Sequence, residues 1–221
     1  MTTRLIATLL LIGATVGCGG GESSDPEPPT SSGEATNAST ETGEAATDEP
    51  VDVDAANADE MLSEAIRNDD AELVRAALDA GADPEGDASV PLLHLAADRG
   101  SADVVAALLD GGADIESTGT SEHTALIRAA LAGDVETVQL LIDNGADLDA
   151  RESSPGRTAI QLVVDGGGSN EVIDVLLEAG SDIDAMDDRG ETALASAAFT
   201  GNLSAAELLV ERGATVNTVN A

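Results

Sequence analysis

His123 to Asp147 reads HTALIRAALAGDVETVQLLIDNGAD. Two short helices fit this stretch. The Thr124 hydroxyl is placed to cap the first. Leu126, Ala129 and Ala130 then share one side at i, i+3, i+4 spacing. Gly133 supplies the left-handed residue that ends the helix. Asp134 caps the second helix and complements its dipole. Val135, Val138, Leu141 and Ile142 form its apolar stripe. Gly145 stops it, and the chain turns out into a loop.

The closing phrase recurs. Gly-Ala-Asp stands at Gly81, Gly112 and Gly145, with Gly180-Ser181-Asp182 and Gly213-Ala214-Thr215 as variants. The steps are 31, 33, 35 and 33 residues. A period near 33 means one small unit stacked several times.

This pattern resembles the ankyrin repeat, whose hallmark is Thr-Pro-Leu-His-x-Ala-Ala, then Gly, a Val/Leu-rich helix and Gly-Ala-Asp. Thr124-Ala125-Leu126, Thr158-Ala159-Ile160 and Thr192-Ala193-Leu194 match its start, with Ala for Pro. Leu93-His94-Leu95-Ala96-Ala97 with Gly100 matches in the second unit, although Pro91 stands where Thr is usual. Asp187 to Thr192 matches the loop before the helix in the fifth. The resemblance covers about residues 59–221 and implies an all-α solenoid of helix-turn-helix units with projecting β-turn loops. The units fall at about 59–86, 87–117, 118–151, 152–186 and 187–221.

The departures are local. The fourth unit carries Gly166-Gly167-Gly168, one residue more than the usual turn, and its preceding loop has one more as well. The loop before the second unit is two residues short. Together these explain the 35 and 31 steps. In the first unit Asp69 holds the turn position, and Glu60, Glu64 and Arg67 suit an N-terminal cap facing water. Leu203 to about Arg212, with Ser204, Glu207 and Glu211, is expected to close the other end.

Composition bounds the function. The 221 residues carry a formal net charge of −34, with 9 basic against 43 acidic residues, and every basic residue is Arg. Phosphate contacts need basic patches, so no nucleic-acid partner is expected. There is no Trp or Tyr, and Phe199 is the single Phe. Ala and Leu must therefore do the packing. One cysteine excludes an intramolecular disulfide and Cys-cluster zinc sites.

That cysteine is Cys18. Residues 1–17 read as an export signal: Arg4, then the apolar run Leu5 to Ile12, too short to span a bilayer. Ala14-Thr15-Val16-Gly17-Cys18 resembles the lipobox of bacterial lipoproteins, with Thr15 where Leu is usual. The resemblance implies lipid on Cys18 and a membrane anchor, because two or more acyl chains hold stably. Residues 18–58 are rich in Ser, Thr, Glu, Pro, Gly and Ala without a basic residue, and are expected to be a disordered acidic linker. A chain of about 40 such residues spans roughly 35 Å. The expected location is the bacterial cell envelope, periplasmic or surface-facing.

No catalytic or cofactor motif is present: there is no Gly-x-Ser-x-Gly elbow, P-loop or dinucleotide fingerprint. Gly166-Gly167-Gly168 reads as a turn, since no Lys follows. No metal site is expected. His94 occupies the hallmark His, which the family uses to brace neighbouring loops. Asp182, Asp184, Asp187 and Asp188 read as solvated turn carboxylates.

The resemblance implies that partners contact the loop tips and the exposed side of each first helix. Carried over, those positions are Asp98 and Arg99; Thr120, Ser121, His123, Leu131 and Ala132; Ser154, Pro155 and Arg157; and Asp188, Arg189, Glu191, Phe199 and Thr200. For Phe199 two readings stand: a contact, since aromatic and Arg side chains dominate hot spots, or a ring packed on the neighbouring helix. The function expected is a non-catalytic, monomeric protein-binding module, exported and lipid-anchored. The alternative is an accessory or inhibitor subunit that modulates an envelope enzyme.

Overall fold

A computed structural model describes residues 57–86, 90–119 and 122–216. The signal, Cys18 and nearly all of the linker lie outside the described residues, as do Thr120 and Ser121. The described residues form ten helices and no strand. They pair into five units: α1 (Ala58–Asn68) with α2 (Ala71–Asp79), α3 (Leu92–Arg99) with α4 (Ala102–Asp110), α5 (Ala125–Ala132) with α6 (Val135–Asp143), α7 (Ala159–Asp165) with α8 (Asn170–Ala179), and α9 (Ala193–Thr200) with α10 (Leu203–Glu211). First helices pack on first helices from α1 to α9, and second helices on second helices from α2 to α10.

The local signals work as read. Thr124 Oγ1 accepts from Ile127 N, and Asp134 Oδ1 from Glu136 N. Gly133 closes α5 in the left-handed region at φ 79°, where an L side chain crowds the backbone. Asp69 fills that place in the first unit at φ 58°, a conformation Asp tolerates better than most residues. Glu60, Glu64 and Arg67 are exposed on α1. The stripe of α6 is narrower than expected. Val138 and Leu141 are buried, Val135 and Ile142 only half-buried, and Thr137 is fully buried with its hydroxyl donating to Asp134 Oδ2 at 2.7 Å. In the fourth unit α7 stops at Asp165, one residue earlier than its counterparts. The glycine insertion therefore opens a four-residue connection, 166–169, instead of the usual two.

Gly145 ends α6 at φ 87°, with Ala146 N donating back to Leu141 O at 3.0 Å. This is the hydrogen bond of a helix stop that needs a left-handed residue. A Cβ there meets nothing within 4 Å. Gly145→Val is thus expected to cost about 1–2 kcal/mol from backbone strain alone. Thermal unfolding of the variant checks this, and an unchanged midpoint refutes the stop.

The Gly-Ala-Asp turns are tied to one another by carboxylates. Asp83, Asp114, Asp147 and Asp182 each accept, through Oδ1, the backbone N–H two residues on. The N–H groups of Asp114, Asp147 and Asp182 donate to Glu85, Glu116 and Asp149 of the preceding unit, and that of Asp83 donates to Asp59 at the start of its own. Thr215 ends the ladder, donating from N and Oγ1 to Asp184. A charged acceptor makes each rung stronger than a neutral bond, so part of the acidity has a structural use.

Candidate functional site: the first-helix face and its loops

Register explains what this face does. In α3 the third residue after the cap position is His94, fully buried. Its Nε2 donates to Ser117 O in the following loop at 2.8 Å. Nδ1 is buried without a partner, so the neutral ring with its proton on Nε2 is the form that fits. Burial is the main reason its pKa lies below 6.5; the bond to Ser117 opposes that shift. Gln161 holds the same register in α7. Its Oε1 accepts from Thr158 N at 2.9 Å, and its Nε2 donates to Glu191 O at 2.7 Å and Ala185 O at 3.3 Å in the following loop. His94 thus braces a loop as the hallmark implies. Gln161 does the same without a titratable ring, a role missed in the sequence because its residue type differs.

A pH effect follows. Unfolded, His94 takes a proton near 6.5, whereas folded it does so only at lower pH. Between those values the unfolded chain binds more protons, so stability falls as pH falls. His94→Gln, which copies Gln161, is expected to flatten the melting midpoint between about pH 7 and about pH 5.5, above the main carboxylate range. His123 is present in both proteins and cancels in the comparison. An equal slope for variant and wild type refutes the assignment.

A second register joins neighbouring units near the ends of the first helices. Asp98 Oδ2 receives Arg128 Nη1 of the next unit at 2.9 Å. Asp165 receives the Ser196 hydroxyl of the next unit. Arg157 joins this cluster, with Nε on Glu152 Oε1 and Nη1 on Asp165 Oδ2, both at 2.5 Å. The bond to Glu152, then the one to Asp165, holds the Arg157 guanidinium above even its usual high range, against an opposing effect of burial. His123 Nε2 lies 3.5 Å from Glu152 Oε2. The polar chain His123–Glu152–Arg157–Asp165–Ser196 therefore spans three units.

The residues expected to meet a partner divide accordingly. His123 and Arg157 are half-buried in that chain. Asp98 is exposed but paired with Arg128, and Glu191 is half-buried with its carbonyl taken by Gln161. Arg99, Leu131, Ala132, Ser154, Asp188, Arg189 and Thr200 are exposed, and Pro155 is half-buried. Phe199 is 92% exposed, so its ring is not packed on a neighbouring helix among the described residues. Arg128, Glu152, Asp165 and Ser196 belong to the face and were not foreseen. Their signal is the spacing from one first helix to the next. The turn carboxylates have structural work: Asp187 Oδ1 accepts from Arg189 N and Glu191 N, both at 2.9 Å.

Stacked two-helix units that expose a row of variable side chains beside projecting loops define a repeat scaffold. A family model described as Ankyrin repeats (3 copies) matches residues 62–152 and again 126–220. The chain belongs to the ankyrin-repeat family, a family of protein–protein interaction modules. No curated protein matches it.

Proposed function

We propose that this chain is an exported, lipid-anchored adaptor of the bacterial cell envelope. It binds another protein through the first-helix face and its loops. One observation carries the reading of that face: Arg99, Leu131, Asp188 and Arg189 stand exposed on it, while Asp98 and His123 are occupied between units and Arg157 within its own. Specificity then lies in side chains that stacking does not consume. The anchor rests on the sequence: the single cysteine directly follows an apolar run and Gly17. An acidic body is repelled by anionic headgroups, so lipid on Cys18 supplies the attachment and residues 18–58 the reach.

Metabolic labelling with a fatty acid tests the anchor. Wild type is expected to take the label and Cys18→Ser to lose it. No label on wild type, or label kept by the variant, defeats that half of the proposal. Affinity capture from envelope extract tests the other half. One specific partner is expected, recovered less by the double variant Arg99→Glu, Leu131→Glu. If the captured partner is an enzyme whose activity changes on binding, the chain is its accessory or inhibitor subunit.

A further inference from the structure

The fifth unit differs from earlier ones at four positions near the next unit. Leu78 of α2 lies over Gly111 of the following unit, so close that a Cβ on Gly111 would stand 2.7 Å from Leu78 Cδ1. Asn170, first in α8, donates from Nδ2 to Ser204 Oγ of the following unit at 2.8 Å. Asp98 and Asp165 meet Arg128 and Ser196, while Leu131 at the same register is 43% exposed. Ile115, Leu148 and Ile183, three residues after the loop Gly, pack half-buried against the core. The fifth-unit counterparts of these residues are Val210, Leu203, Phe199 and Val216. They are 49%, 69%, 92% and 68% exposed.

This end is not merely a worn edge. The opposite end, on α1, presents Glu60, Glu64 and Arg67 to solvent. The fifth unit instead holds four of the seven large hydrophobic side chains that stand exposed among the described residues, a concentration that marks an interaction surface. Sequence reading assigned α10 the role of a closing cap. Its Ser204, Glu207 and Glu211 are exposed as that role requires, but Leu203 and Val210 beside them are not what a cap presents to water.

Charge selects the occupant. A shallow groove on this end is lined by Ala206, Val210, Glu207 and Glu211. The neighbouring cation, Arg212, is taken up by Asp174 and Glu178 of α8. A second copy would bring Glu207 and Glu211 against their own counterparts, on a chain of net charge −34. We propose that this end face docks a basic amphipathic helix of a partner protein, laid where a further unit would stack. Its apolar stripe covers Phe199, Leu203, Val210 and Val216, and its Lys/Arg row faces Glu207 and Glu211. Helix-in-groove recognition supplies the contact area, and opposite charge supplies orientation and a salt-dependent on-rate.

A synthetic Leu/Lys amphipathic peptide of about five helical turns, carrying one Trp, is the probe. The protein has no Trp or Tyr, so emission from the peptide reports binding to the full chain. Saturable binding is expected, weakened about tenfold or more by Phe199→Ser with Leu203→Ser. Both positions are exposed, and an unchanged melt confirms that the variant folds. Glu207→Gln with Glu211→Gln is expected to weaken binding and flatten its salt dependence. Equal affinity for a scrambled peptide of the same charge, or for the Ser double variant, overturns the proposal. So does a wild-type dimer in sedimentation that the Ser variant abolishes, since a second copy is then the occupant. Tighter binding after removal of residues 217–221 overturns it too, since the chain then covers its own end.

Discussion

Leu141→Ala is expected to lower the free energy of unfolding by about 2–5 kcal/mol, among the largest effects of any single change in this chain. Leu141 is fully buried in α6, and α6 packs against both α4 and α8. The loss combines burial of the deleted methyl groups with the cavity left between close-packed helices. With no Trp or Tyr in the chain and Phe199 in solvent, no large ring is at hand to fill that space. Position adds to the effect. In a solenoid each unit touches only its neighbours, so the third unit couples two on either side. Weakening it is expected to broaden or split the urea transition as well as lower its midpoint. Helical circular dichroism checks this. A single transition at the wild-type midpoint would mean that the third unit does not couple the array.

Arg157→Ala is the second. It removes the cation between Glu152 and Asp165 and leaves two partly buried carboxylates on one another's side of the fourth unit. Side-chain exposure of 10% for Glu152 and 25% for Asp165 means that water only partly replaces the lost partner. Hydrogen bonds to charged groups contribute about 1.5–3 kcal/mol, and a loss of that order is expected. Arg128→Ala is the contrast. Its partner Asp98 is 42% exposed, so this pair behaves as a surface ion pair worth about 0–1 kcal/mol. Equal destabilisation by the two variants would mean that Arg157 is only another surface contact.

Much of the fold was legible because its signals are local. Thr124, Gly133, Asp134 and Gly145 act within one turn of their own positions, so caps and stops follow from residue type and spacing. The 31- and 35-residue steps were readable too, since they are chain lengths. What joins one unit to the next was not legible. The pairings of Asp98 with Arg128 and of Asp165 with Ser196 depend on side-chain reach, and the likeness of Gln161 to His94 depends on register across different residue types. Phe199 shows the limit most clearly. Residue type suited core and contact equally, and the answer lies in register, since Leu131 at the same place in the third unit is exposed as well. The division of the first-helix face into occupied and unoccupied side chains has the same origin, because a residue's neighbours belong to another repeat.

The protein-binding reading is tested most directly by site-specific photo-cross-linking in living cells. A photoreactive residue replaces Leu131 or Arg189 on the first-helix face, or Glu136 or Gln139 on the second-helix row, all four exposed. One discrete adduct is expected from Leu131 and Arg189, and none from Glu136 and Gln139. Equal adducts from both rows, or adducts from the second-helix row alone, would contradict the assignment of the binding face.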